Sequence, residues 1–433
     1  MSKGSKNNNS SLFKKVKESF FLFEESLNGS RESTIHALRR RALKKLAEHD
    51  FPTRRSEEYR YTNITRKLDS AIDVFELPKP ATNQDGDFNI SDLEGYFYYF
   101  TNGSFNKEKS HQGETDFDVA YQSNEDPITI NSLEESLKGD DSFALLNSAF
   151  CSETLTIKIR SNISKPINIV HEMFGTQIII SQPRVLIQVD SGVEAIINEV
   201  HFTTGKKTNF SNTFTDIRIG KNAILTHIRS GLEEQNAVRV STTIVHQEMD
   251  STCTSINTDL GGEFVRNNLT IKQNGSGCTS NLYGLYALSG NMHVDNHTSV
   301  DHRHPHTVSN ELYKGILTDN STGVFNGKIF VRREAQKTNA FQRNNNILLS
   351  DEATINTKPQ LEIWADDVKC SHGCTTGQLD KDQVFYLRTR GLSENQAKSM
   401  LLNAFAQEVL DKIPIPKLKE LLNEKVLQVL GNE

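Results

Sequence analysis

The chain has 433 residues, 36% of them hydrophobic and 24% charged, with 49 basic against 55 acidic side chains and a formal net charge of -6. That length exceeds one ordinary compact core and points to two or three domains, unless the fold grows along a single axis. The acidic balance excludes a general nucleic-acid surface. No apolar run reaches the ~18 residues of a spanning helix, and five scattered cysteines (151, 253, 278, 370 and 374) are too few for a disulfide framework.

The amino-terminal stretch "MSKGSKNNNSSLFKKVKESF" lacks the apolar core and small-residue cleavage site of a secretory signal, so a reducing cytoplasm is the expected location. Phe13, Val16, Phe20, Phe23 and Leu27 recur at three- and four-residue spacing and predict a helix. "NGS" at 28–30 breaks it, and Ile35, Leu38, Leu43 and Leu46 predict a second helix with a basic outer side. "FPTRRSEEYRYTNI", 51–64, opens on a proline that stops that helix. Residues 82–95, "TNQDGDFNISDLEG", are polar and turn-rich and read as a linker or surface loop.

From about 150 to 378 the texture changes. Runs such as "LTIKIR", "VLIQV", "AIINEVHF" and "AILTHIRS" favour strands and alternate with polar turns, while helical periodicity nearly vanishes. Turns near 192, 220, 250, 276, 323 and 352 open segments of similar pattern, most of them about 28 residues apart; the long interval has room for two shorter coils. Repeats of this kind stack strand upon strand, which predicts a β-solenoid, with an irregular β-sandwich as the alternative.

After Asp380 the helical period returns. "SENQ", Ser393 to Gln396, matches a capping box, and Ala397, Met400, Leu401, Ala404, Phe405 and Val409 form an apolar stripe. Pro414 ends that helix, and Pro416 opens another through Leu418, Leu421, Leu422, Val426 and Val429, closed by Gly431. These stripes need cover, either from the solenoid or from a partner. The chain therefore divides into an amino-terminal helical domain (1–80), a linker and entry segment (81–149), a β core (150–378) and a carboxy-terminal helical domain (379–433).

Chemistry concentrates in "DDVKCSHGCTTGQLD", 366–380, where Cys370, His372 and Cys374 occupy alternate positions. In an extended strand they share one face, but Cα atoms two residues apart lie about 6.6 Å from each other. Thiolates on one tetrahedral zinc sit only about 3.7 Å apart, so Cys370 and Cys374 cannot share an ion unless Gly373 turns the chain. Either a distant residue completes the site, or the site is incomplete within this chain; a buried cysteine beside a satisfied histidine is the plain structural alternative. A second stretch, "MHVDNHTSVDHRHPHTVSNELYKGIL" (292–317), holds five histidines. His302, His304 and His306 would point one way on a strand, yet Arg303 and Pro305 interrupt them and no cysteine is near, which favours a structural or interface role. "GVFNGK", 323–328, is one residue short of a phosphate loop, and no nucleophile elbow or H-E-x-x-H helix occurs. Asp366 and Asp367, being adjacent, point to opposite faces and cannot work as an acid–base pair.

"KPQLEIWADDVKCSHGCTTGQLDKDQVFYLRTRG", 358–391, resembles the carboxy-terminal signature of the SufB/SufD family of iron–sulfur cluster assembly proteins. "DHRHPHTVSNELYKGIL", 301–317, resembles a second family motif, and "FPTRRSEEYRYTNI" is similar to the amino-terminal segment of the SufD branch. SufB members carry a cysteine shortly before the leucine-rich run that is here "NNNILLS", whereas "FQRNNNILLS", 341–350, has none, and they carry acidic residues where this chain has Ser371 and Gly373. Both departures favour the SufD branch.

The resemblance implies a mainly β fold: a right-handed parallel β-helix with α-helical amino- and carboxy-terminal domains. It implies a non-enzymatic scaffold subunit in complex with a SufB-like subunit, through the β-helix, and a SufC-like ATPase, through the carboxy-terminal helices. Sulfur donor proteins would act on the complex indirectly. A transient iron–sulfur cluster shared with SufB would involve Cys370 and His372. Cys374 is the weaker candidate, because alanine is common there in the family. The residues do not report whether a reduced flavin joins the complex. Two alternatives stand beside this reading: a scaffold that only supports SufB, and a polysaccharide-acting solenoid, which would need a carboxylate-lined groove and a secretory leader.

Overall fold

The computed structural model describes residues 9–27, 33–73, 93–112, 115, 117–122, 126–151, 153–174, 178–204, 208–234 and 236–430. The "NGS" break, Gly431 and all of the 82–95 stretch except its last three residues lie outside that set.

Two ten-stranded sheets wind around a common interior. Along one, here sheet A, the strands are β2 (Ser104–Asn106), β1 (Tyr96–Thr101), β5 (Ile167–Phe174), β8 (Glu194–Thr204), β10 (Ile224–Gly231), β12 (Thr252–Asp259), β14 (Thr279–Leu288), β16 (Val308–Leu317), β18 (Asn339–Leu348) and β20 (Lys369–Gly377), in that spatial order. Sheet B runs β19 (Thr354–Ile363), β17 (Thr322–Val331), β15 (His293–His302), β13 (Phe264–Gln273), β11 (Ala237–Gln247), β9 (Asn209–Ile219), β7 (Arg184–Val189), β4 (Thr154–Ile159) and β3 (Phe117–Gln122), with the short β6 (Ile180–Ser181) beside β9. From β5 and β7 onward every pairing is parallel and each strand pairs with the one a coil away, which is the β-solenoid. The three strands β1–β3, between residues 96 and 122, extend both sheets ahead of the stretch whose strand texture is legible from sequence.

From β5 to β20 the strands of sheet A begin every 27 to 31 residues. The corners leading into β8, β10, β12, β14, β16 and β18 each turn on a left-handed residue: Gly192, Asn222 (φ 56°), Asp250 (φ 58°), Gly277, His306 (φ 60°) and Lys337 (φ 64°). Glycine, asparagine, aspartate and histidine tolerate that region best, which is why the turns could be seen in the sequence. The long interval between the turns at 276 and 323 is not two short coils. The turns near 323 and 352 belong to the opposite corner, between sheet A and sheet B, so the apparent phase slips by half a coil. "GVFNGK" lies inside β17 and forms no loop.

The interior between the sheets holds one apolar cluster, including Leu155, Ile197, Ile217, Leu225, Val245, Ile271 and Val300. Helices cover the outer faces. Helix α1 (Ser11–Ser26), α2 (Thr34–His49) and α5 (Ser142–Phe150) share a cluster with Phe210, Val238 and Val240 on the outside of sheet B. Segment 51–64 is tied to the same sheet: Glu58 contacts His297 at 3.2 Å, Thr62 contacts His293 at 3.2 Å, and the Arg266 guanidinium lies 4.2 Å from the Tyr59 ring centre.

On the other side, α7 (Glu394–Leu410) and α8 (Pro416–Val429) bury Leu402, Ala406, Val409, Leu418, Leu422 and Val426 against Val170, Val200, Ile228 and Leu312 of sheet A. The capping box is present, with Ser393 and Gln396 bonding each other's backbone amides. The buried face of α7 is rotated from the predicted stripe: Met400 is 57% exposed, while Leu402 and Ala406 are buried. Among the described residues no helix is long and apolar enough to cross a membrane.

Candidate functional site

Cys370, His372 and Cys374 all lie on β20, the last strand of sheet A. The register pairs them with Ala340, Gln342 and Asn344 of β18. Those three are buried and face the solenoid interior. Parallel coils in register stack like on like, so Cys370, His372 and Cys374 form the inward-facing row of the final coil. Nothing among the described residues stacks on that coil. Cys370 is therefore only half-buried, and His372 and Cys374 are exposed.

The backbone of β20 is open on the same side. Lys369 donates its N–H to the Thr338 carbonyl (2.9 Å). In a parallel ladder alternate residues bond alternate neighbours, so the amides of Cys370, His372 and Cys374 point to the unpaired edge. Sheet B ends the same way in β19. Thr354 donates to Ser321, in the corner just before β17, and Trp364 to Val331 at the end of β17, which places Pro359, with no N–H to offer, on the free edge, where proline is tolerated.

Gly373 does not turn the chain, since 369–377 pair as one continuous strand. The three side chains accordingly do not converge. Among the described residues the single group of three ligand-type side chains with atoms within 4.8 Å of one another is His171, Glu199 and His201, far inside the solenoid. All five cysteines are free thiols. Partial burial raises the Cys370 thiol above its ordinary value, which is the opposite of an activated nucleophile.

Beneath the row lies a polar floor that sequence reasoning missed. The Gln342 amide donates to Glu311 (2.6 Å), directly below it on β16. Asn344 donates to the Tyr286 hydroxyl (3.1 Å), Tyr286 donates to Asn346 (2.6 Å), and Asn346 donates to Asn344 (2.8 Å). Burial pushes the Glu311 carboxyl up to about 7, against the Gln342 hydrogen bond and the nearby Thr298 hydroxyl, which lower it. The available signal was the alternation of Gln342, Asn344 and Asn346 in a run whose other features read as strand.

The histidine-rich stretch is divided by the fold. His302 ends β15 and is buried, with Thr307 and Ser309 hydroxyls at 2.8 and 2.9 Å from its two ring nitrogens. His304 and His306 follow in the corner and are exposed. The three do not share a strand face, because the strand stops at the first of them.

A model described as the SUF system FeS cluster assembly, SufBD core domain matches residues 173–405, and one described as the SufBD protein N-terminal region matches 11–169. An iron–sulfur cluster assembly SufBD family protein of Synechocystis sp. is 32% identical over 422 residues, 92% of each chain. The iron–sulfur cluster assembly protein SufD of Escherichia coli is 29% identical over 397 residues, 90% of this chain and 91% of that one. A chloroplastic protein of Arabidopsis thaliana is 33% identical over 243 residues, 56% of this chain and 51% of that one.

Proposed function

This chain belongs to the SufBD family of iron–sulfur cluster assembly proteins, and we propose that it is the SufD-type half of a two-subunit scaffold whose cluster site is completed by a SufB-like subunit. The observation that carries this reading is the open terminal coil. β20 offers a free backbone edge, and the same residues that carry the free amides aim a thiol and an imidazole at the uncovered end of the interior. A second solenoid end meeting this one would extend both sheets across the interface and bring its own ligands over Cys370 and His372. Thiolate and imidazole suit iron, and a mixed ligand set suits a cluster that is cargo and must leave. His372, as a neutral ligand, would be the more easily displaced.

The SufC-like ATPase is assigned to the carboxy-terminal helices. Helix α6 (Lys381–Thr389) buries none of its residues, and Phe385 and Tyr386 are 68% and 56% exposed. Beside it runs a groove of about 730 Å³, lined by Leu348, Leu379, Phe385, Arg388 and Leu402 among others. Apolar side chains left uncovered beside a groove are what a docking helix or loop requires.

The test is co-purification with SufB-like and SufC-like partners, anaerobic reconstitution, and iron and sulfide counting. Cys370→Ser and His372→Ala should leave the complex assembled at wild-type stoichiometry and lower its cluster content severalfold. Full cluster content in both variants would make this chain a support for its partner and remove the ligand role.

A further inference from the structure

Deep in the solenoid, the inward row of sheet A carries His171 on β5, Glu199 and His201 on β8, and His227 on β10. The register sets His171 directly against His201, with their rings stacked at 4.4 Å and 5°. Phe100 closes the other face of His171 at 5.1 Å. The Glu199 carboxylate is divided in its partners. Its Oε1 receives the Thr215 hydroxyl (3.0 Å) and lies 3.1 Å from His227 Nε2. Its Oε2 has no hydrogen bond, and neither has any ring nitrogen of His171 or His201.

That makes five unpartnered polar atoms on side chains no more than 4% exposed. Buried polar atoms are ordinarily paired, so five unpaired ones in one place call for a ligand. Nε2 of each imidazole lies 3.9 Å from Glu199 Oε2, too long for a hydrogen bond. Ligand atoms on a tetrahedral ion with bonds of about 2.0–2.1 Å are about 3.3 Å apart, so an ion would draw these in by roughly half an ångström.

We propose that His171, Glu199 and His201 hold one divalent first-row transition-metal ion, in a two-histidine, one-carboxylate site that stiffens the interior. Thr215 and His227 orient the carboxylate from behind, as outer partners do in such sites. Arg239 is the cation acting on both rings. It is already paired with Glu233 and, at 2.6 Å, with Asp259, so the ion's charge meets Glu199 and not a free guanidinium. Parallel rings aim their lone pairs the same way, so loading must turn one ring out of the stack. The site is separate from the open end: six strand spacings from β8 to β20 make roughly 29 Å.

The full-length chain carrying Cys370→Ser, His372→Ala and Cys374→Ser tests this without the terminal ligands. It is produced in zinc-supplemented and, anaerobically, in iron-supplemented cells, dialysed against chelator, and assayed for metal by mass spectrometry. About one equivalent of either metal per chain should survive. Adding Glu199→Gln should remove it at least tenfold, and His227→Gln should weaken retention about tenfold without abolishing it. Cobalt loaded in place of zinc should give the visible bands of a low-coordinate ion, absent in the Glu199→Gln variant. A chain free of metal from both cultures, or metal that persists unchanged in Glu199→Gln, overturns the site. Neither result bears on the cluster reading, whose ligands are absent from the protein tested.

Discussion

Replacing His302 by glutamine isolates one buried histidine whose cost can be worked out. Both ring nitrogens are bonded to hydroxyls, and burial lowers the imidazole from 6.5 to about 4, with the neighbouring Asp301 opposing. In the unfolded chain the same side chain titrates near 6.5. Between those values the unfolded state binds a proton that the native state refuses, so stability is present above about 6.5 and is lost as the pH falls toward 4. At 1.36 kcal/mol per unit, the loss reaches roughly 2–3 kcal/mol by about pH 4.5. Glutamine has no such term, but it gives up part of the hydrogen bonding at a cost of about 1–2 kcal/mol. Urea unfolding followed by circular dichroism should therefore find the variant less stable at pH 7.5, with the gap closing or reversing at pH 4.5. His293, also held near 4 by burial, titrates identically in both proteins and cancels from the difference. A gap that stays constant from pH 7.5 to 4.5 would refute the reasoning.

Gly284 lies beneath Tyr313, where a Cβ would come within 2.2 Å of two ring carbons; Gly284→Ala should cost about 1–3 kcal/mol in chemical denaturation, and Tyr313→Leu in the same chain should recover part of it. Arg239→Leu strands the buried carboxylates of Glu233 and Asp259 and should cost about 3–5 kcal/mol. Burial already raises the Glu233 carboxyl, and without the guanidinium it rises further, so the Arg239→Leu deficit should shrink on acidification, as seen in the pH dependence of the urea midpoint. In the reconstituted complex, Cys374→Ala should keep near wild-type iron and sulfide where Cys370→Ser does not.

Local chemistry was legible wherever one segment determines its own structure. The Ser393 capping box, the corner residues Asn222 and Asp250, and the strands between them all follow from short-range preferences. What failed depended on distant partners. Met400 sits on the apolar side of its own helix pattern, but the sheet beneath α7 selects Leu402 and Ala406. The turns at 323 and 352 look like those at 220 and 250 because both corners of a coil use the same residue types. Glu311, Gln342 and Asn344 carry no mark of burial in the sequence; only the register shows that they line the interior. His171 and His201 meet because thirty residues make one coil, and no local pattern shows a contact across that distance. The Cys370–His372–Cys374 row could be singled out from composition alone, whereas its position at an uncovered end could not.

The like-on-like columns of this solenoid put a frame on its evolution and engineering. Deleting or duplicating a whole coil, about thirty residues counted from one corner to its equivalent, keeps every side chain on its own side of the wall. Losing a single residue within a strand reverses the remainder of that strand, sending charged groups inward and apolar ones out. Length variation among functional descendants of this chain should therefore come in whole coils or at the corners, and a library of random single-codon deletions should show survivors clustering at the bends.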